Sequence, residues 1–270
     1  MANIVNQYGQ VKVGVRVQSS GGGVDADAQA FITAASITDS TQQSAINTLV
    51  TQLKTYGIWT KMKALYPFVG GTASSHKFNL KDPRDLDAAF RLVFNGGWTH
   101  TSTGAKPNGS NGYADTFLNN NVLGQNDLSF GVYLGGNNLG TTGWECAIGV
   151  YSNSWGSGIY PSSNSGVSIF YLNGGSNTNS NGGSTKGMYM ASKTSSFSFV
   201  HIRGVKTDKT FNTSTPKAYS FKISRAGDWV GDYNSQEQRF AHIGDGLTDT
   251  EAAAFYTAVQ TYQSTLGRNV

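Results

Sequence analysis

Two periodicities divide the chain. Val11, Val13, Val15 and Val17 alternate with Lys12, Gly14, Arg16 and Gln18, the period of two that marks a half-buried strand. The run Ser19 to Gly23 then breaks the pattern as a flexible linker. A single strand is not stable alone in water, so residues 1–23 are expected to form an arm whose four valines dock onto the body or onto another subunit. From Asp25 the spacing becomes helical. Asp25 or Asp27 is placed to cap AQAFITAA, and Thr38, Asp39 or Ser40 opens a second stretch in which Ile46, Leu49, Val50, Leu53 and Tyr56 share a face before Gly57. Residues 24–57 therefore read as a helical hairpin packed on the body.

From about Trp59 to Asn234 the period returns to two. Strands are predicted at 76–80, 88–94, 112–118, 128–134, 145–151, 166–172, 186–191, 197–203 and 218–224, with further ones hidden between them. The breaks are rich in Gly, Asn, Ser and Pro (NGGW, PNGSNG, YPSSNSG, RAGDW), the turn chemistry of antiparallel hairpins. Strands without intervening helices exclude a parallel α/β sheet and point to a mainly β fold, an antiparallel sandwich or jelly roll spanning 58–270. At its end Thr248 and Glu251 form the T-x-x-E of a capping box, and Ala252, Phe255, Val259, Tyr262 and Leu266 follow at helical spacing. A helix over 248–266 should cover the sandwich.

Composition agrees with many turns: 34 of the 270 residues are glycine, and only 13% are charged. No apolar run approaches the length of a membrane span, and the first ten residues lack the basic and apolar regions of a signal peptide, so a soluble chain made in a cytoplasm is expected. Cys146, the single cysteine, has no intrachain partner and no zinc framework. The net charge of +4 is spread without a basic block. The densest basic segment, Lys54, Lys61 and Lys63 with Tyr56 and Trp59, could grip a nucleic-acid backbone, but solvated lysines beside core aromatics is the plainer account, and no specific nucleic-acid partner is expected.

Catalytic signatures are sparse. The sequence has no G-x-S-x-G, Walker A, H-E-x-x-H or C-x-x-C motif. It contains three glutamates, Glu145, Glu237 and Glu251; Glu251 is taken up by the helix cap and Glu145 has no acidic residue at the same-face positions 143 or 147, so a glycosidase carboxylate pair would have to be assembled from distant loops. Asp82, Asp85 and Asp87 could converge on a hard cation, although pairing with Lys81, Arg84 and Arg91 is the simpler reading. His100 has no evident nucleophile beside it, and His76, His201 and His242 show no ligand spacing. No catalytic residue, metal or cofactor is assigned, and the chain is expected not to be an enzyme. The aromatics offer more. Trp98, Trp144, Trp155, Tyr160 and Trp229 lie beside Gly/Asn/Ser loops, where a ring holds the CH face of a sugar and amides bind its hydroxyls. Plugging the ends of a sandwich core is the competing role. Trp155, in YSNSWGSGIYPSSNSG, is expected to be the most exposed of them.

The stretch LYPFVGGTASSHKFNLKDPRDLDAAFRLVFNGGWTHTSTGAKPNGSNGYADTFLN resembles a module recurrent in tailed-bacteriophage virion proteins. The ending HIGDGLTDTEAAAFYTAVQTYQSTLGR resembles that of concanavalin A-like (laminin-G-like) jelly rolls. Together the resemblance covers roughly residues 25–270. It implies a structural component of the virion, a fibre, spike or capsid-decoration protein assembled in the bacterial host, held to other virion proteins by its N-terminal arm and oligomeric as fibres often are. Concanavalin A-like relatives often bind glycans through calcium-organised loops, and no calcium-ligand motif maps onto this sequence. Three functions follow as expectations: a non-enzymatic virion structural protein first, a host-glycan-binding adhesin second, and a polysaccharide depolymerase third.

Overall fold

The computed structural model describes residues 23–136, 144–152, 155–161, 167–180, 184–227 and 232–270. The predicted arm, with Val11, Val13, Val15 and Val17, lies outside them. The helices are α1 (Ala26–Ala34), α2 (Ser40–Thr55), the single turn α3 (Ala73–His76) and α4 (Asp249–Thr265). The strands run β1 (Met62–Tyr66), β2 (Val93–Asn95), β3 (Trp98–Thr101), β4 (Gly104–Pro107), β5 (Tyr113–Asn119), β6 (Leu128–Leu134), β7 (Ile148–Ser152) and β8 (Trp155–Tyr160). They continue with β9 (Val167–Leu172), β10 (Gly175–Ser180), β11 (Gly187–Lys193), β12 (Ser198–Ile202), β13 (Val205–Asp208), β14 (Ser220–Ile223) and β15 (Gln238–Gly244).

These strands form two antiparallel sheets packed as a jelly-roll sandwich. One runs β13-β12-β11-β6-β15-β4-β3, with β1 also paired to β15; the other runs β10-β9-β8-β7-β14-β5-β2. Phe130 and Val132 of β6, Tyr189 and Ala191 of β11, and Ala241 and Ile243 of β15 meet Ile148, Val150, Ile159, Phe170, Phe221 and Ile223 of the opposite sheet in the sandwich core. The other face of the first sheet is also covered. Tyr133, Met188, Met190, Phe199 and Phe240 pack there against Phe31 of α1, Leu49 and Leu53 of α2, and Phe255, Val259 and Tyr262 of α4. The body is therefore three-layered, helices on sheet on sheet, and among the described residues no helix covers the outer face of the second sheet.

Local chemistry places the helices as the sequence predicts. Asp25 accepts from the Asp27 amide and Asp39 from the Gln42 amide, and Gly57 closes the hairpin at φ 72°. In α4 the Thr248 hydroxyl takes the Glu251 amide while Glu251 takes the Thr248 amide and the Lys61 ammonium, a reciprocal cap tied to the sheet layer.

Two of the strand predictions need correction. Residues 76–80 are not a strand: Thr72 caps α3, and buried Asn79 bridges the following loop, donating to the carbonyls of Lys63 and Ala89 and accepting from the amides of Leu65 and Lys81. The strand predicted at 88–94 shrinks to Val93–Asn95, because a helical turn at Asp87–Ala89 ends in Phe90 at φ 59°. The hidden strands between the predicted ones are β3, β4, β8, β10 and β13, and β1 and β15, which flank the predicted stretches, carry no prediction.

Gly131 sits where β6 crosses beneath α4. A Cβ there would lie 2.5 Å from the Tyr189 carbonyl oxygen and 2.7 Å from His242 Cε1. Gly131→Ala is therefore expected to cost about 1–3 kcal/mol through forced strand displacement, read as a lower urea midpoint at unchanged m-value.

Candidate functional site

At one end of the sandwich the β3–β4 hairpin, the end of β6 and the segment entering β15 enclose a groove of about 730 Å³. The hairpin supplies one wall: Trp98, Thr99, Lys106 and Asn108. Ser235, Gln236 and Glu237 supply the other. Trp98 is partly exposed. Its indole donates to the Asn95 carbonyl at 3.0 Å and its ring meets Phe94 edge-on at 5.1 Å and stacks near His100. The ring thus plugs the open edge of the core, and the residue contributes to the groove wall.

Most polar groups of the groove already hold one another. Asn108 Oδ1 accepts from the amides of Ser110, Asn111 and Gly112, which closes the NGSNG turn. Gln236 donates to the carbonyl of Gly136 and the hydroxyl of Thr185. Glu237 takes both Nε and Nη2 of Arg239, at 3.1 and 3.0 Å, on one oxygen and the Thr103 hydroxyl on the other. Ser235 bonds Glu145 at 3.4 Å. Lys106 is exposed and makes no ion pair among the described residues.

Glu145 follows Trp144, which begins an aromatic ladder outside the groove lining. Trp144 is 51% exposed and meets Tyr160 edge-on at 6.0 Å, and Tyr160 meets Tyr171 edge-on at 5.8 Å. Tyr160 and Cys146 lie buried on the outer face of the second sheet. Gly149 and Gly158 make this possible: a Cβ on Gly149 would meet Cys146 Sγ at 2.9 Å, and one on Gly158 would meet the Tyr160 ring at 3.4 Å. Burial pushes the Cys146 thiol and the Tyr160 phenol well above their ordinary pKa values, so neither ionises near neutral pH.

Of the five aromatics singled out in the sequence, the structure joins Trp144 to Tyr160 and links them through Glu145 and Ser235 to the groove that Trp98 lines. Trp155 is a correction. It is 6% exposed, sits at the opposite end of β8 from Tyr160, and donates its indole proton to Ser214 at 2.8 Å with Lys217 over the ring. Its glycine neighbour serves a crossing: a Cβ on Gly156 would meet the Val150 carbonyl oxygen at 2.7 Å. Trp229 lies outside the described residues. Lys106, Ser235 and Gln236 carried no sequence signal.

The other candidates resolve into packing. Lys54 pairs with Asp25 and Asp27, Lys61 with Glu251 and Lys63 with Asp245, which leaves the basic segment no free charge for a phosphate. Asp82 pairs with Arg84, Asp85 with Lys77 and Arg91, and Asp87 with Arg91; Lys81 instead lies 3.9 Å over the Trp59 ring. His100 faces His76, Nδ1 to Nδ1 at 2.9 Å, so one imidazole donates and the other accepts.

No family model matches the chain, and no curated protein matches it. Among solved structures it is similar to domain 4 of an extracellular GH43 arabinanase from Geobacillus stearothermophilus, solved with arabinotriose. That match has 13% identity and a TM-score of 0.50, and covers 73% of this chain and 98% of that domain. The botulinum neurotoxin serotype D binding domain matches at 11% identity and TM-score 0.48, over 73% of this chain and 52% of that one. A Trypanosoma rangeli sialidase matches at 9% identity and TM-score 0.45, over 82% of this chain and 39% of that one. The first likeness shows the β-sandwich fold.

Proposed function

We propose that the chain is a non-enzymatic attachment protein of a tailed-phage particle that binds a surface glycan at the groove end of its sandwich. The observation that carries the binding is Trp144, half exposed and held edge-on by buried Tyr160, next to the residue that bonds the groove wall. An exposed indole costs free energy in water. One fixed by a second ring is preorganised to stack on a sugar, which lowers the ordering cost of binding. The sugar ligand of the arabinanase domain, which shares the fold, accords with this reading.

The virion assignment rests on the resemblance of residues 65–119 and 242–268, and makes residues 1–23 the segment that meets other virion proteins. The non-enzymatic reading is supported by the engagement of Glu237 with Arg239 and Thr103 and of His100 with His76, which takes up the groups nearest the groove that could serve as acid or base.

Trp144→Ala is expected to weaken binding on a glycan array at least tenfold while lowering the melting temperature far less than a core tryptophan would, because half of the residue is already exposed. Trp155→Ala should do the reverse, lowering stability by about 3–5 kcal/mol. Unaltered glycan binding by Trp144→Ala would remove the site. Mass spectrometry of purified particles and a map of the virion test the location, and sugar release from a bound polysaccharide would overturn the non-enzymatic reading.

A further inference from the structure

Two buried imidazoles lie on one line across the first sheet. In the antiparallel register Lys206 of β13 is opposite His201 of β12, His201 is opposite Met190 of β11, Met190 opposite Gly131 of β6, Gly131 opposite His242 of β15, and His242 opposite Leu65 of β1. Opposite residues share a face of the sheet, and this face meets the helices. His201 is 5.1 Å from the Tyr256 ring and His242 is 4.5 Å from the Phe255 ring, adjacent residues of α4. Gly131 supplies the room, since a Cβ there would come within 2.7 Å of His242 Cε1. Nδ1 of His201 and both nitrogens of His242 are buried without a hydrogen-bond partner, so a proton added at these atoms finds no acceptor. The groups that face the two rings offer no compensating charge: Lys206 is turned to Asp208 and Asp249, the Tyr256 hydroxyl accepts from Gln260, and Phe255, Met190 and Leu65 are apolar. Burial, with no neighbouring charge contributing, lowers His201 to about 4 and His242 to about 3.

We infer that His201 and His242 make the seam between the helical layer and the first sheet an acid-sensitive opening, in which α1, α2 and α4 lift from the sheet while the two sheets stay closed on each other. The inference stands apart from the glycan reading. Neither imidazole enters the sandwich core, because His201 alternates with Val200 and Ile202 and His242 with Ala241 and Ile243, which do. The chain order also permits it. Both α1 and α2 precede the first described strand and α4 follows the last, so the layer separates without withdrawing a strand from either sheet. A histidine released to water titrates near 6.5. Above that pH neither form is charged and the seam is indifferent to acid; below it the open form takes up protons that the closed form refuses, and opening gains with each. Between pH 7.5 and 5 each imidazole raises the opening constant about thirtyfold, and the two together about a thousandfold. The face uncovered is apolar, with Met188, Met190, Phe199 and Phe240.

Amide hydrogen exchange of the full chain at pH 7.5 and 5, divided by the intrinsic rate at each pH, tests this on peptides from α4 and from β5 and β7. The α4 amides are expected to be less protected than those of the strands at both pH values, and their opening constant to rise about a thousandfold on acidification. His242→Leu and His201→Leu should each cut that rise to about thirtyfold, and the double variant should remove it. His76→Leu is the control. His76 is packed between Phe68 and His100, so its loss leaves the α4 response unchanged if the seam opens by itself, and reduces it if α4 opens only when the whole chain unfolds. Equal protection and one shared pH response in helix and strand amides would overturn the inference, as would a reduced α4 response in His76→Leu or an undiminished one in either single seam variant.

Discussion

Lowering the pH from 7.5 to 5 is expected to remove roughly 6 kcal/mol of folding stability and to drop the melting temperature by more than 10 °C. The cause is three buried imidazoles. His242 is fully buried with neither ring nitrogen hydrogen-bonded, lying 4.5 Å from the Phe255 ring. His201 lies beneath Tyr256 on the same sheet, and His76 lies between Phe68 and His100. Burial lowers His242 to about 3 and His201 to about 4; burial, helped by the charges of His100 and Arg268, lowers His76 to about 3. An unfolded histidine titrates near 6.5. Above that pH both states are neutral and the full stability is present. Below it the unfolded chain takes up protons that the folded chain refuses, so stability falls with pH down to about 4 for His201 and about 3 for the other two. Each contributes about 1.4 kcal/mol per pH unit in that window. Urea unfolding at pH 7.5, 6 and 5 reads the slope. His242→Leu should reduce it by a third, and a melting temperature flat from 7.5 to 5 would show that the folded chain accepts these protons after all.

Arg268→Met is expected to cost about 3–5 kcal/mol at neutral pH. The guanidinium is 3% exposed and spends all its donors inside the protein. Nε donates to Gln263 Oε1, Nη1 to the carbonyls of Phe68 and Thr103, and Nη2 to those of Pro67 and Arg239. Four backbone oxygens from three separate parts of the chain converge on one cation beyond the end of α4. A thioether fills the space and leaves those oxygens without donors, the costly half of a lost hydrogen bond. Arg268→Lys should fall between, since an ammonium has three donors for five acceptors. Differential scanning calorimetry checks both. A methionine variant within 1 kcal/mol of wild type would mean that water replaces the guanidinium at no cost.

The parts of the fold visible in the sequence are those where one face meets water. The capping box at Thr248 and Glu251, the caps at Asp25 and Asp39, and strands such as Tyr113–Asn119, buried at every second residue, follow from period and composition alone. β15 is buried on both faces, so QRFAHIG shows no alternation, and Met62–Tyr66 is hidden for the same reason. β6 was legible despite burial at every position because turn residues bracket it. Trp155 misleads in the opposite direction. Glycines read as loop markers there serve close strand approach. The groove could not be read in advance, since it joins residues 97–108 to residues 235–237 across the β4–β15 pairing, and only the folded chain makes Lys106 and Glu237 neighbours of one cleft.

The layering also gives the molecule a front and a back. Asp25, where the described chain enters its first helix, is tied to α2 through Lys54 and Asn47, on the side of the helices. The outer face of the second sheet, which carries buried Cys146 and Tyr160, lies across the full thickness of the core from that entry. A partner seated on the helical side would therefore leave the second sheet and the groove at the end of the sandwich unobstructed.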